Sequence, residues 1–159
     1  MDLVEALLGI APGSALDGLR GQRAAIRQHS EGAYRELVVP EHPGGVSLAE
    51  RAALALRVAL LGGHAGLAAH FRGLLADPAL RTEAESFPAK AEGRLGLLLR
   101  YADLVAETPE RCGQAEIDAL AAADFSPQDI VAVTQLVAFV PYQIRLLAGL
   151  RALQEEVAA

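Results

Sequence analysis

An all-α domain is what this sequence predicts, and three observations carry the prediction. Apolar residues recur at helical spacing along most of the 159 residues, helix-start and helix-stop signals bracket those runs, and the chain resembles itself at an offset of 79 residues. Composition agrees. Hydrophobic residues make up 52% and aromatics only 4%, so the interior is built of Ala, Leu and Val, which let helix pack closely on helix. The length suits one domain, residues 1–159, with its own core.

The elements follow in order. A short first helix precedes a long second one, in which Ser14 is the N-cap and apolar residues recur through Leu16, Leu19, Ile26, Ala33 and Leu37, stopping at VVPEHPGG. This N-terminal helical segment occupies residues 1–45. Ser47 to Glu50 then spells S-x-x-E, a capping box in which the Ser hydroxyl and the Glu carboxylate each take one orphan N–H. A helix over 47–61 follows. Gly62 and Gly63 interrupt it, the pattern resumes from His64 to Leu75, and Asp77-Pro78 ends it. Residues 88–106 make the next helix; a loop through Thr108, Pro109 and Gly113 leads to a short helix ending at Ala123. Ser126-Pro127 opens the last helix, with proline at the first helical position, where its missing N–H would be unsatisfied anyway.

The internal repeat is the most informative feature. VSLAERAALALRVALLGGHAGLAAHFRGLL, within residues 46–75, lies without a gap over FSPQDIVAVTQLVAFVPYQIRLLAGLRAL, within residues 125–156. Ser47 meets Ser126, Glu50 meets Asp129, Leu67 meets Leu146 and Arg72 meets Arg151, and the breakers Gly62-Gly63 meet Pro141. Two copies of a helix–break–helix unit, related by a pseudo-twofold axis, are expected.

Charge and cysteine usage exclude several classes. Net charge is −6 with a pI near 5.2, Lys90 is the only lysine, and the arginines are scattered singly. No basic stripe exists for nucleic acid, and an acidic chain gains nothing from phosphate counterion release. The start MDLVEALLGIAPG is too acidic and short for a secretory signal, which makes the cytoplasm the expected location. The apolar run from Ile130, IVAVTQLVAFVPYQI, is broken by Thr134, Gln135, Pro141 and Gln143 and falls short of a span of about 20 residues; it reads as a buried helix rather than a membrane one. Cys112 is the only cysteine, which excludes an intrachain disulfide.

Few side chains are candidates for chemistry. His64 and His70 follow the glycine pair but stand six residues apart, on different sides of a helix, and do not form an i, i+4 metal pair. No metal is expected. Glu50 is explained by the capping box, and acid–base work would in addition require a pocket that raises its pKa. Cys112 lies beside Arg111 in a loop, where a cation lowers a thiol pKa, yet it has no resolving partner. Tyr142 and Arg145 sit one turn apart just after Pro141, suited to a pocket or to an oligomer contact.

The repeat unit, a capped S-x-x-E-R helix, an apolar run, a small-residue break and then a segment ending in Ala-His, resembles the core of the carboxymuconolactone decarboxylase and alkylhydroperoxidase D family. The residues between Ser47 and Leu75 fit best, and DIVAVTQLVAFVPYQIRLLAGL resembles the end of peroxidase-related members; together they cover about half of the chain. Redox members carry Cys-x-x-Cys directly after the break, a His soon after it and a Glu upstream. On that pattern Gly63 falls on the break, His64 on the first cysteine, Leu67 on the second and His70 on the following histidine, while Glu50 stands further upstream than the redox glutamate. Both thiols are absent. The resemblance therefore implies an alkylhydroperoxidase D-like helical fold with a degenerate redox site. It implies either a non-thiol enzyme or small-molecule binder using Glu50, His64 and His70 without a cofactor, or a scaffold that assembles with a CxxC-bearing relative. It also implies a homo-oligomer, a trimer or a dimer of trimers, with a dimer open.

Overall fold

The computed structural model describes residues 2–158, which form nine α-helices and no strand. They are α1 (Leu3–Leu8), α2 (Ala15–Gly21), α3 (Ala24–Leu37), α4 (Leu48–Leu61), α5 (Ala65–Leu74), α6 (Pro78–Glu85), α7 (Gly93–Glu107), α8 (Gln114–Ala122) and α9 (Pro127–Ala158), with a 3-10 turn at Pro109–Arg111 between α7 and α8. The all-α prediction holds. Helix α4 is central: α5, α6, α7 and α9 pack around it, and every residue from Arg51 to Ala59 is buried. Helices α1, α2 and α3 lie against α9 on the outside of this body.

Both capping boxes form, and they have the same geometry. Ser47 Oγ accepts the Glu50 N–H at 3.2 Å and Glu50 Oε2 accepts the Ser47 N–H at 2.8 Å; Ser126 and Asp129 make the same pair of bonds at 3.2 and 3.0 Å. The boxes are also tied together. Asp129 Oδ1 accepts the Gly45 N–H at 2.8 Å. Arg94 of α7 donates to Glu50 Oε1 at 2.9 Å and to the Gly45 carbonyl, while its guanidinium lies 3.7 Å from the centre of the Phe125 ring. The starts of α4 and α9 are thus clamped side by side.

Beyond the caps the copies diverge. Pro141 does not break α9, which runs straight through it. A proline inside a helix costs about 3 kcal/mol, but Val137, Phe139 and Val140 before it and Gln143 and Leu147 after it are buried, and each large apolar side chain contributes about 1.5–3 kcal/mol. Packing outweighs the lost bond. In the first copy the break falls at Gly63, whose φ of +67° is a conformation that glycine adopts readily and side-chain-bearing residues rarely do; Gly62 before it lies against Ile144 Cδ1 of α9.

Three further boundaries differ from expectation. The long second helix is two, α2 and α3, with Arg23 at the corner outside helical geometry; the bend lets Arg20 and Arg27, from different helices, both reach Asp2 and Glu5. Asp77-Pro78 ends one helix and also starts α6, because Asp77 caps the Ala79 N–H at 2.8 Å and Pro78 takes the first helical position. Helix α7 begins at Gly93 rather than at residue 88.

A buried cation joins α4 to its neighbours. Arg57 is fully buried; it pairs with Asp103 of α7, donates to the Ala84 and Ser86 carbonyls at 3.2 and 2.8 Å, and lies 4.1 Å from the centre of the Phe87 ring. Removing one partner of such a group strands the rest. Arg57→Ala is expected to cost about 3–5 kcal/mol in urea denaturation, whereas Ser47→Ala and Ser126→Ala are each expected to cost about 0.5–2 kcal/mol.

Candidate functional site

Glu50 and the two histidines do not form one site. Glu50 sits at the first turn of α4 and His64 just beyond its last, so about 20 Å of helix separates them at 1.5 Å per residue. Both oxygens of Glu50 are engaged, by Ser47 and by Arg94. Its carboxylate serves the clamp between the helix starts.

His64 is the N-cap of α5: its Nδ1 accepts the Leu67 N–H at 3.1 Å. A side-chain acceptor there satisfies one of the donors that a helix start leaves unpaired. Leu67, at the second cysteine position of the resemblance, is fully buried. The stretch LLGGHAGLAAH is therefore first of all a turn between two helices, with Gly63 set by its positive φ and the first histidine by capping.

His70 differs. Two turns further along α5, it lines a cavity of about 510 Å³, together with Asp2, Leu3 and Val4 at the start of the chain, Ser30, Glu31, Tyr34 and Arg35 of α3, and Gln143 of α9. That volume lies within the usual range for small-molecule sites, about 300–1,000 Å³. His70 Nε2 and Tyr34 Oη are hydrogen-bonded at 2.7 Å. Burial holds the His70 imidazole below its ordinary pKa and pushes the Tyr34 phenol above its own. Desolvation acts against the charged form of each, so at neutral pH the pair is an uncharged imidazole and an intact phenol.

Gln143 completes the wall and was not among the expected site residues. Its side chain is 2% exposed and makes no hydrogen bond among the described residues; Oε1 is buried without a partner. A buried amide oxygen left unsatisfied costs on the order of 1–3 kcal/mol. One sequence signal pointed to it. In the 79-residue register Gln143 falls on His64, as a polar residue within an apolar run. Tyr34 carried no such signal, because its meeting with His70 is long-range.

The remaining candidates lie elsewhere. Cys112 is half-buried after the 3-10 turn, packed on the core. Tyr142 is exposed, its hydroxyl 2.7 Å from Ser30 Oγ, and Arg145 is exposed and joins no ion pair among the described residues. No three His, Cys, Asp or Glu side chains among the described residues gather as a metal site would need.

No family model matches the chain, and no curated protein does. Among solved structures it is similar to the crystal structure of an uncharacterized peroxidase-related protein from Silicibacter sp. TM1040, with 18% identity and a TM-score of 0.61, over 77% of this chain and 66% of that one. The chain thus spans just under two thirds of that protein. The two share an all-α fold.

A pH dependence follows from His70. With its pKa below the ordinary 6.5 in the folded state, the unfolded chain binds the proton more readily, so the stability tied to His70 is present above pH 6.5 and is lost as pH falls from there toward the lower folded value. NMR titration of the imidazole is expected to give a pKa below 6.5, and His70→Gln to remove that part of the acid-side loss in a pH series of urea titrations.

Proposed function

We propose that this protein is a thiol-independent, small-molecule-binding enzyme of the carboxymuconolactone decarboxylase-like group, with acid–base chemistry carried by His70 and Tyr34 in the cavity beneath α1. The observation that carries the reading is the 2.7 Å Tyr34–His70 hydrogen bond inside a ligand-sized cavity. A neutral imidazole is a competent base at pH 7. After the imidazole has taken a proton from the ligand, it can pass one across this bond to Tyr34 Oη as the phenol gives its own hydroxyl proton back to the ligand, and a positioned acid or base of this kind accounts for rate factors of about 10² to 10⁴. Of the sequence-based candidates Glu50, His64 and His70, this reading keeps His70 and adds Tyr34.

Thiol chemistry has little support. Turnover by two sulfurs needs Cα atoms about 4.4–6.8 Å apart, and Cys112 is the only sulfhydryl in the chain. A second reading, a non-catalytic subunit that assembles with itself or with a CxxC-bearing relative, draws on the exposed apolar side chains Leu48, Phe87 and Val131. Val131→Asp lowering the mass by light scattering would favour it.

The test pairs two assays. Purified protein given lactone and keto-acid substrates is expected to turn at least one over, with a loss of about 100-fold or more in His70→Gln, a loss in Tyr34→Phe, and no change in Cys112→Ala. With an organic hydroperoxide and a dithiol reductant, no turnover above the no-enzyme control is expected. Peroxide turnover abolished by Cys112→Ala would overturn the proposal.

A further inference from the structure

The cavity does not end at its own walls. Helix α3 packs against α9 but buries none of its 14 residues completely. At one end of the seam between the two helices Tyr34 and Gln143 line the polar cavity; at the other, Ile26, Leu146 and Leu150 line an apolar groove of about 230 Å³. Ser30 lines both. The two spaces thus adjoin at Ser30, whose Oγ lies 2.7 Å from the exposed Tyr142 hydroxyl.

The groove is too small to be a ligand site alone, against about 300–1,000 Å³ for typical pockets. It is also more apolar than its arginines suggest. Arg20, Arg23 and Arg27 line it; the guanidinium groups of Arg20 and Arg27 are held by Asp2 and Glu5, so what those two lend the groove is aliphatic stem, while Arg23 is exposed and joins no ion pair among the described residues. Ile26, 52% exposed, is a large apolar side chain that folding leaves uncovered.

At the polar end, charge is balanced. Asp2 is neutralised by the same two arginines, and Glu31 and Arg35 are of opposite sign one turn apart on α3. Gln143, 98% buried by the complement of its exposure and without a partner, offers amide hydrogen bonding but no charge. From this arrangement, and resting on the cavity reading above, we infer that cavity and groove are head and tail sites for one ligand. That ligand is a neutral straight-chain aliphatic molecule with a hydroxyl, carbonyl or amide head on Gln143 and Tyr34 and its chain along Ile26, Leu146 and Leu150.

The test is calorimetric titration of the full chain with 1-alkanols from pentanol to decanol, with the matching fatty acids as charged counterparts. Each methylene buried in the groove adds about 0.8 kcal/mol, so affinity is expected to rise about fourfold per carbon and then level off when the groove is full. Ile26→Ser, at an exposed position, is expected to flatten that slope while leaving pentanol binding within about twofold; Gln143→Leu is expected to weaken the whole series about fivefold, the loss of one hydrogen bond. Alcohols are expected to bind more tightly than ionised acids. Affinity independent of chain length, a slope unchanged by Ile26→Ser, or tighter binding of the acids would each overturn the inference. So would light scattering in which Ile26→Ser dissociates an oligomer, which would assign the groove to a second copy of the chain. Binding of short alcohols without length dependence removes only the tail site, whereas no binding by any member removes the cavity reading as well.

Discussion

A helix sheathed on all sides can carry a charge only if every hydrogen of that charge is met, and Arg57 at the centre of α4 is such a charge. Its guanidinium is shared among the Asp103 carboxylate, the carbonyls that end α6 and the Phe87 ring. This single side chain fixes α4, α6 and α7 relative to one another. Arg51 does similar work a turn and a half earlier, donating to the carbonyls of Val46, Leu37 and Pro43 at 3.0, 2.8 and 2.9 Å, and Arg94 clamps the starts of α4 and α9. In a chain with 4% aromatics, guanidinium groups bridging backbone carbonyls supply the long-range ties that large rings supply elsewhere. Arginine suits the task because its planar fork presents five donors and stays charged when desolvated.

With α4 fixed, the turn at its end has no latitude. Ile144 of α9 lies against Gly62, Gly63 must take a positive φ, and His64 then stands where the first free N–H groups of α5 need an acceptor. The turn holds its shape for reasons of packing and capping. His70, two turns further on, faces Tyr34 under the N-terminal helices rather than the clamp at the far end of α4. Of the two places, the cavity beside the turn is the one that holds a side chain with hydrogen-bonding capacity to spare, Gln143.

Local signals were legible in the sequence wherever a short stretch decides its own structure. Both capping boxes, the Gly62-Gly63 break and the Ser126-Pro127 start could be read because their partners lie within four residues. Pro141 misled because its local cost is real and only the buried residues on either side outweigh it. Asp77-Pro78 misled differently, since the same dipeptide both stops and starts helices. Of the site, His70 was legible as a rare reactive side chain, but Tyr34, 36 residues away, and Gln143, from the last helix, join it only through tertiary packing. Glu50 was a sound candidate by type; its pairing with Arg94, across 44 residues, is what removes it.

The central claim is that the working site is the cavity of His70, Tyr34 and Gln143, and not the turn at Gly62-Gly63. The most direct measurement is the side-chain amide signal of Gln143 in a ¹H–¹⁵N spectrum while a small neutral amide such as hexanamide is added. An amide with no internal partner should shift strongly on binding, in step with the backbone signals of Ser30, Tyr34 and His70. Shifts centred instead on Gly63, His64 and Leu67, with Gln143 unmoved, would contradict the account.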